Sequence, residues 1–337
     1  MISIDGSYKE GGGQILRISI FLSLLTNKPF YIYNIRKGRP NPGLKNQHLH
    51  ILKCIKEISE SKVEGDRLHS LEVRFYPGKV KGGKVKMDFE TAGSIPLFLQ
   101  TIFPVSLISE NPVHLELIGG TDVPGGPVFD YFRYYILDTF KNILKEKSFL
   151  VIKRGYYPRG GGVVKLKLHG KLSKIDLEFG DGELVKMKGF LAGSKILEEK
   201  KVLERMREAF YKRIKDINNN IEFEISYEDS PSPGCSFLVI GIFNGKRKLA
   251  VDILGKKGVP AEVLGEELAE KFILFLKRGD SPDPHLADHL VPFLALYGGE
   301  VYQKEPTSHF ETAIWTAKHF LDFNVEKKEN LFKFTPL

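Results

Sequence analysis

The sequence repeats one order of predicted elements, and this repeat limits the possible folds more than any other feature. Apolar periodicity predicts a helix, a strand, a second helix and two further strands. In the first copy these elements are expected at residues 14–25, 30–35, 46–59, 71–76 and 83–89. The order returns about 80 residues later, with Gly93-Ser94 in the place of Gly13-Gln14. A repeat of this length indicates stacked units that share one core.

Two further copies and an insertion complete the predicted organisation. The second copy is expected as a helix ending at 108, a strand at 113–118, a helix at 129–145 and strands at 149–153 and 162–168. The third is shorter, with helices at 287–295 and 309–320 and strands at 301–303, 323–325 and 331–334. The insertion is expected to hold strands at 184–191, 221–227, 237–243 and 249–253 and helices at 198–215 and 260–277. The predicted fold class is α/β (α+β), with a main domain at 1–179 and 278–337 and a small inserted α/β domain at 180–277.

A glycine-rich turn precedes the first predicted helix. Gly11, Gly12 and Gly13 leave their amide groups bare at a helix N-terminus, where anions are stabilised. Glu10 supplies an oxygen for a hard divalent cation, and Arg17 lies one turn inside the helix. The segment therefore suggests a phosphate site, although a plain turn with solvated charges fits these residues equally well.

Composition indicates the class of binding partner and the cellular compartment. The net charge of +8 favours a polyanionic partner, but it does not separate RNA from DNA or from simple solubility. The two cysteines, Cys54 and Cys235, are far apart and suggest a reducing compartment, with Cys54 in the core. No signal segment opens the sequence, and no apolar run approaches the roughly 18 residues of a membrane helix. A cytoplasmic protein without membrane contact is expected.

Several polar side chains occur where the pattern does not require them. Arg36, Lys37 and Arg39 lie in a loop before Gln47 and His48, a set that suits phosphate oxygens or, alternatively, an exposed basic loop. Gln100 interrupts an apolar helix and needs a partner. The local sequence alone favours a satisfied core amide for Gln100.

The segment His285-Leu286-Ala287-Asp288-His289 suggests more than one role. Its two histidines around an aspartate resemble metal ligands, but no HExxH pattern is present. With a helix expected from about Ala287, Asp288 could act as a cap, and an imidazole could stack on a purine.

His309 lies at the expected start of a helix, where Ser308 would cap and Glu311 would reinforce the cap. A neutral imidazole is a competent nucleophile near physiological pH, since its ordinary pKa is about 6.5. Taken alone, such a histidine is more commonly structural. The surrounding motifs decide between the two roles.

These motifs together resemble those of the RNA 3'-terminal phosphate cyclases. The resemblance runs from Ile4 to about Phe320. It is carried by short stretches spread along the chain: Asp5-Gly6-Ser7, Glu10 to Arg17, Ile35 to Arg39, Pro42-Gly43-Leu44, Gln47-His48-Leu49, Gly119 to Asp122, His285 to Asp288 and Ser308 to Thr312. It implies three repeats, each resembling the C-terminal domain of bacterial translation initiation factor three, and a smaller inserted domain.

The resemblance also implies a reaction and residue roles. ATP would drive conversion of an RNA 3'-phosphate to a 2',3'-cyclic phosphate, with histidyl-AMP formed on His309 and AMP and diphosphate released. Glu10 would hold Mg²⁺ or Mn²⁺. The triphosphate or RNA end would contact Arg17, Arg36, Arg39, Gln47 and His48. The nucleotide site would comprise Gln100, Pro127, His285, Leu286, Ala287, Asp288 and His289, with Pro127 and His285 packing on the adenine.

Three positions depart from the family pattern. This chain has His289 where many relatives carry glutamine, Ala313 where they carry asparagine, and Lys9 in place of a glycine. These departures concern the contacts to adenine and phosphate. The chemistry of the reaction steps is expected to be retained, because His309 is present.

Two other functions remain open from the sequence. A non-catalytic cyclase-like factor in ribosomal RNA processing would lack the nucleophilic histidine, and an enolpyruvyl transferase of similar repeat architecture would form no histidyl-AMP. The oligomeric state is open as well, with a homodimer among the possibilities.

Overall fold

The computed structural model describes residues 1–9, 11–173, 175 and 179–337. Over these residues the chain forms four sheets and eight helices, in agreement with the predicted α/β class. Helices cover the sheets and bury one apolar face each, as expected where helix and sheet share a core.

The first sheet has the order β1-β2-β4-β3. Its strands are β1 (Ile2–Asp5), β2 (Phe30–Tyr33), β3 (Lys62–Glu64) and β4 (Val73–Tyr76). Strands β1 and β2 are parallel and the other pairs are antiparallel. Helices α1 (Gln14–Thr26) and α2 (Asn46–Ile58) follow β1 and β2. The short strand β3 escaped the sequence prediction because only three residues pair there.

The second sheet has the order β5-β6-β8-β7 and repeats the strand directions of the first. Its strands are β5 (Gly83–Asp88), β6 (Val113–Gly119), β7 (Leu144–Lys153) and β8 (Gly162–Gly170). Helix α3 (Ile95–Ser106) follows β5. Strand β5 pairs with β6, so the prediction that placed residues 83–89 at the end of the first copy is wrong. The predicted helix at 129–145 is also wrong in form: it is divided into a π-helical turn (Tyr131–Ile136), α4 (Leu137–Thr139) and a 3₁₀ turn (Lys141–Ile143).

The inserted segment forms a sheet of its own with the order β10-β9-β11-β12. Its strands are β9 (Leu184–Ser194), β10 (Ile221–Glu228), β11 (Cys235–Phe243) and β12 (Leu249–Leu254). Helices α5 (Val202–Ile214) and α6 (Ala261–Arg278) pack on this sheet around Phe210, Phe237 and Phe272. This cluster is distinct from the main core.

The third sheet of the main part is antiparallel, with the order β13-β15-β14. Its strands are β13 (Gly299–Tyr302), β14 (Phe323–Lys328) and β15 (Leu331–Pro336). Helix α7 (Pro284–Tyr297) precedes β13, and α8 (Ser308–Ala317) follows it. Helix α7 starts before the predicted Ala287 because Asp283 caps it, accepting from the backbone N–H groups of His285 at 3.1 Å and Leu286 at 3.2 Å.

Helix α1 lies between the units, packing against both α3 and α8. The three sheets of the main part therefore share one apolar cluster, which includes Ile15, Phe98 and Leu290. Cys54 is fully buried in this cluster, as predicted. Among the described residues, none of the helices has the length and apolar character needed to cross a membrane.

Candidate functional site

A cavity of about 760 Å³ lies where the helix starts and loops of the three units meet. Its walls come from the start of α1, the loop after β2, α3, the loop after β6, α7 and the start of α8. Most of the predicted site residues line it: Arg17, Arg36, Arg39, Gln47, Gln100, Pro127, His285, Asp288, His289 and His309. The fold thus brings together residues that are up to 292 positions apart (309 − 17) in the sequence.

His309 occupies the first turn of α8 and is held by α1. Its Nδ1 lies 2.7 Å from Oε1 of Gln14, a side chain that is 9% exposed. Because an amide oxygen can only accept, Nδ1 donates this hydrogen bond, and in the neutral ring the lone pair is then on Nε2. The ring is therefore fixed in the tautomer and orientation that a nitrogen nucleophile requires.

The start of α8 is capped by Thr307, whose Oγ1 accepts from the backbone N–H of Phe310 at 2.9 Å. The prediction that Ser308 caps this helix is wrong, because Ser308 is already the first helical residue. The Thr307 hydroxyl also donates to Oδ1 of Asp288 at 2.6 Å. Asp288 thus joins α7 to the turn that carries His309.

The glycine-rich turn is fastened to the same helix. Tyr8 stacks on Trp315 of α8, with ring centroids 4.1 Å apart and planes 7° apart, and Lys9 forms an ion pair with Glu311. The φ of Lys9 is +48°, a left-handed conformation that favours glycine. Glu311 was predicted to reinforce the helix cap, but its carboxylate binds Lys9 instead.

Three arginines give the cavity a positive wall. Burial lowers the pKa of Arg17 to about 10. Burial and the neighbouring charge of Arg39 lower the pKa of Arg36. A guanidinium with a pKa of about 10 stays protonated at neutral pH. The cavity is consequently suited to anions that carry several negative charges, such as phosphates, whose oxygens match the geometry of guanidinium groups.

His48 does not line the cavity and is fully buried beside Gly13. A Cβ added at Gly13 would meet Nε2 of His48 at 2.3 Å and Nη1 of Arg17 at 3.0 Å. Burial, followed by the charges of Arg17, Arg36 and Lys45, lowers the pKa of His48 to about 3. The neutral ring accepts a hydrogen bond from the backbone N–H of Lys45 at 2.9 Å and packs closely against Gly13 of the glycine turn.

Helix α7 divides its predicted residues between the cavity and the core. His285, Asp288 and His289 line the cavity, whereas Leu286 and Ala287 are fully buried in the main core. Positions i, i+3 and i+4 share one helix face, and the two residues between them point elsewhere. Leu286 and Ala287 therefore shape the site by packing rather than by lining it.

Gln100 has the partner that its position demands. Its Nε2 lies 2.9 Å from Nε2 of His289, so α3 and α7 are linked across the cavity wall. Burial, followed by the charges of Arg17, His285 and His309, lowers the pKa of His289 to about 3. A neutral His289 accepts the amide proton, and the sequence-based preference for a core amide at Gln100 gives way to a position on the cavity wall.

The described residues alone do not provide a complete metal site. In residues 1–9, 11–173, 175 and 179–337, no group of three or more His, Cys, Asp or Glu side chains is placed to hold a metal ion. Glu10, the predicted metal ligand, lies outside the described residues. Mg²⁺ commonly binds one or two carboxylates together with substrate phosphates. A cation here would fit as a companion of bound phosphates.

The inserted segment also contributes to the cavity, which the sequence analysis missed. Asp252, Ile253 and Leu254 of β12 and Lys271 of α6 line it. The segment reads as an ordinary amphipathic α/β unit, and no local signal marks these four residues. Only the packing of the segment against the loop after β6 reveals them.

Comparison with known proteins shows the family to which the chain belongs. A sequence model of the family described as RNA 3'-terminal phosphate cyclase matches residues 8–326. The chain belongs to the RNA 3'-terminal phosphate cyclase family. The family predicted from the motifs is confirmed.

Relatives in this family cover nearly the whole chain. The RNA 3'-terminal phosphate cyclase of Thermococcus kodakarensis is 40% identical, over 96% of this chain and 94% of the relative. That of Pyrococcus furiosus is 38% identical over 95% and 93%, and that of Saccharolobus solfataricus is 38% identical over 97% and 96%. The similarity thus spans the main part and the inserted segment alike.

Proposed function

We propose that this chain is an ATP-dependent RNA 3'-phosphate cyclase. It would convert an RNA 3'-terminal phosphate to a 2',3'-cyclic phosphodiester and release AMP and diphosphate. One observation carries the proposal: the His309 ring lines a cavity with three arginines while Gln14 holds its Nδ1 at 2.7 Å. Membership of a family whose relatives are named for this activity supports it.

The first step is attack on ATP by Nε2 of His309. A bond forms between Nε2 and the α-phosphorus, the bond from that phosphorus to the bridging oxygen breaks, and diphosphate leaves. The Nδ1 proton stays hydrogen-bonded to Gln14, so the positive charge that develops on the imidazole is stabilised. Arg17, Arg36 and Arg39 balance the charge of the phosphates, which is the main requirement of such transfers.

The next steps return His309 to its starting state. An oxygen of the RNA 3'-phosphate attacks the phosphorus of the bound AMP, and the bond to Nε2 breaks. The neighbouring 2'-hydroxyl then attacks the RNA phosphorus, loses its proton and expels AMP. Arg39 and Gln47 lie on the cavity wall with Arg36 and would orient the RNA end.

The nucleoside would lie between Pro127 and His285, which line the cavity. Gln100, Asp288 and His289 would bound it. Glu10 would hold Mg²⁺ or Mn²⁺ beside the phosphates, and the cation would supply further neutralisation of phosphoryl charge.

We also propose that the three units of the main part are copies of one repeat resembling the C-terminal domain of translation initiation factor three. Support comes from the first two sheets, which share strand order and direction. The main domain would comprise 1–179 and 278–337, and the inserted domain 180–277. The separate core around Phe237 supports this division.

Incubation with ATP labelled at the α-phosphate tests the proposal. With Mg²⁺ present, α-labelled ATP should attach label to the protein, whereas γ-labelled ATP should not. His309→Ala should abolish the labelling. His319→Ala is a matched control, because His319 follows the other end of α8 and does not line the cavity.

Label that persists in His309→Ala would move the nucleophile to another residue. Wild-type protein that binds ATP and RNA but takes up no label would instead support the non-catalytic function.

A further inference from the structure

The inserted segment places one carboxylate on the cavity wall next to the proposed base site. Oδ2 of Asp252, on β12, accepts from the backbone N–H of Val128 at 2.9 Å. Val128 directly follows Pro127, the residue proposed to pack on the base. Asp252 therefore lies next to the loop that would bound the base.

A lysine of the same segment accompanies this carboxylate. Nζ of Lys271, on α6, lies 3.8 Å from Oδ1 of Asp252 and 3.4 Å from its carbonyl oxygen. The side chain of Asp252 is 12% exposed and that of Lys271 is 32% exposed. Both line the cavity, so an acceptor and a donor stand side by side on its wall.

We propose that Asp252 and Lys271 read the edge of the nucleotide base and make adenine the preferred base. Oδ1 of Asp252 would accept a hydrogen bond from the exocyclic amino group, and Lys271 would donate to the adjacent ring nitrogen. Guanine in the same stacked position presents a carbonyl oxygen to Asp252, and two acceptors repel. This inference rests on the proposed function and assigns the inserted segment a part in it.

A substitution can separate the hydrogen bond of Asp252 to Val128 from its proposed contact with the base. In Asp252→Asn the side chain keeps an oxygen for the Val128 N–H, while its amide group would face the cavity as a donor. Lost recognition of a hydrogen-bonding group by a buried site costs far more than lost apolar contact. The variant should therefore keep the fold and lose the preference for the amino group.

Equilibrium binding to the full chain provides the test, with ATP, GTP and purine riboside triphosphate, which lacks the amino group, as probes. Wild-type protein should bind ATP at least about tenfold more tightly than purine riboside triphosphate, as expected for one charged hydrogen bond. In Asp252→Asn this ratio of affinities should fall towards one, and the affinity for GTP relative to that for ATP should rise. Asp138→Asn is the matched control, because Asp138 pairs with Lys248 of the inserted segment at 3.5 Å but does not line the cavity.

Equal binding of ATP and purine riboside triphosphate by the wild type would overturn the inference, whatever the variant does. A preference that survives unchanged in Asp252→Asn, or tighter binding of GTP by the wild type, would also overturn it. Should Asp252→Asn fail to fold, Lys271→Met should still weaken binding of ATP and of purine riboside triphosphate alike by about tenfold, because both present the ring nitrogen to Lys271, and unchanged binding would overturn the inference. Failure of the proposed function would give a different result from failure of this inference. The wild type would then show the ATP preference and yet take up no label from α-labelled ATP.

Discussion

At the scale of single residues, the basic loop after β2 carries side chains that line the cavity and side chains that do not. Arg39 and Lys37 are both exposed, but Arg39 lines the cavity and Lys37 does not. We predict that Arg39→Ala weakens binding of RNA with a 3'-phosphate by about tenfold, since a charged hydrogen bond is lost, and hardly changes binding of a 3'-hydroxyl end. Equilibrium titration with the two RNAs measures this. Lys37→Ala removes the same charge as a control, and equal losses for both ends in Arg39→Ala would refute the role at the RNA end.

His48 links the site to the pH dependence of stability. Its pKa is lowered to about 3 in the fold and is about 6.5 in the unfolded chain. Between these values the unfolded chain binds a proton that the folded chain does not, so stability is lost as the pH falls from about 6.5 towards about 3.

We predict that the free energy of unfolding in urea falls by up to about 1.4 kcal/mol per pH unit in this window because of His48. His48→Asn, which keeps an acceptor for the Lys45 N–H, should flatten that slope. Identical slopes for the two proteins between about pH 6.5 and about pH 5 would contradict the assignment.

Most of the site residues that were predicted from chemical type and motif line the cavity. Arg17, Gln100 and His309 follow from motif and polarity, and all three line the cavity. Leu286 and Ala287 were grouped with their neighbours because a motif is linear, while a helix directs successive side chains to different sides. His48 was predicted to contact the triphosphate or the RNA end for the same reason, since it follows Gln47 in the motif.

At the scale of elements, helix α8 depends on Thr307 twice. Thr307 caps the helix and donates to Asp288 of α7. We predict that Thr307→Val lowers the free energy of unfolding by about 1–2 kcal/mol, because it loses a helix cap and a partly buried hydrogen bond. Urea unfolding measures the change. Thr307→Ser keeps the hydroxyl and should retain most of the stability, so equal losses in the two variants would contradict this account.

The sequence predicted the long periodic elements better than the short or irregular ones. Helices α1 and α2 were placed to within about a residue, since their apolar spacing is regular. Strand β3 has too few residues to show alternation. The turn at Tyr131–Ile136 is π-helical, and its aromatic sequence gives no sign of that.

At the scale of the whole molecule, Arg154 connects the second sheet to the inserted segment. It is 3% exposed and pairs with Asp122 at 3.2 Å, with Asp130 at 2.7 Å and with Glu228 of β10 at 3.7 Å. Removing one member of a buried cluster leaves the others uncompensated. Burial already raises the pKa of Asp130.

We predict that Arg154→Met lowers the free energy of unfolding by about 3–5 kcal/mol. Lys86→Met is the surface control, because the Lys86–Glu116 pair at 2.8 Å lies at the surface, where ion pairs contribute little to stability. Urea unfolding of the two variants compares them. A loss in Arg154→Met no larger than that in Lys86→Met would show that the cluster does not stabilise the molecule.

The repeat along the chain indicated stacked units that share one core, and the three sheets of the main part do share one, with helices of each unit lining the cavity. It did not indicate that β12 and α6 would complete the wall, because Asp252 and Lys271 become neighbours of Pro127 only through packing of the inserted segment. Contacts between separately folded sheets leave no periodic signal in the sequence.

The most direct measurement is to locate the AMP on the protein. The full chain is incubated with ATP and Mg²⁺, digested without exposure to acid, and the peptides are fragmented in a mass spectrometer. The account predicts a single modified peptide, with the mass of one AMP added to the imidazole of His309. AMP found on any other residue, or on none while ATP remains bound, would contradict it.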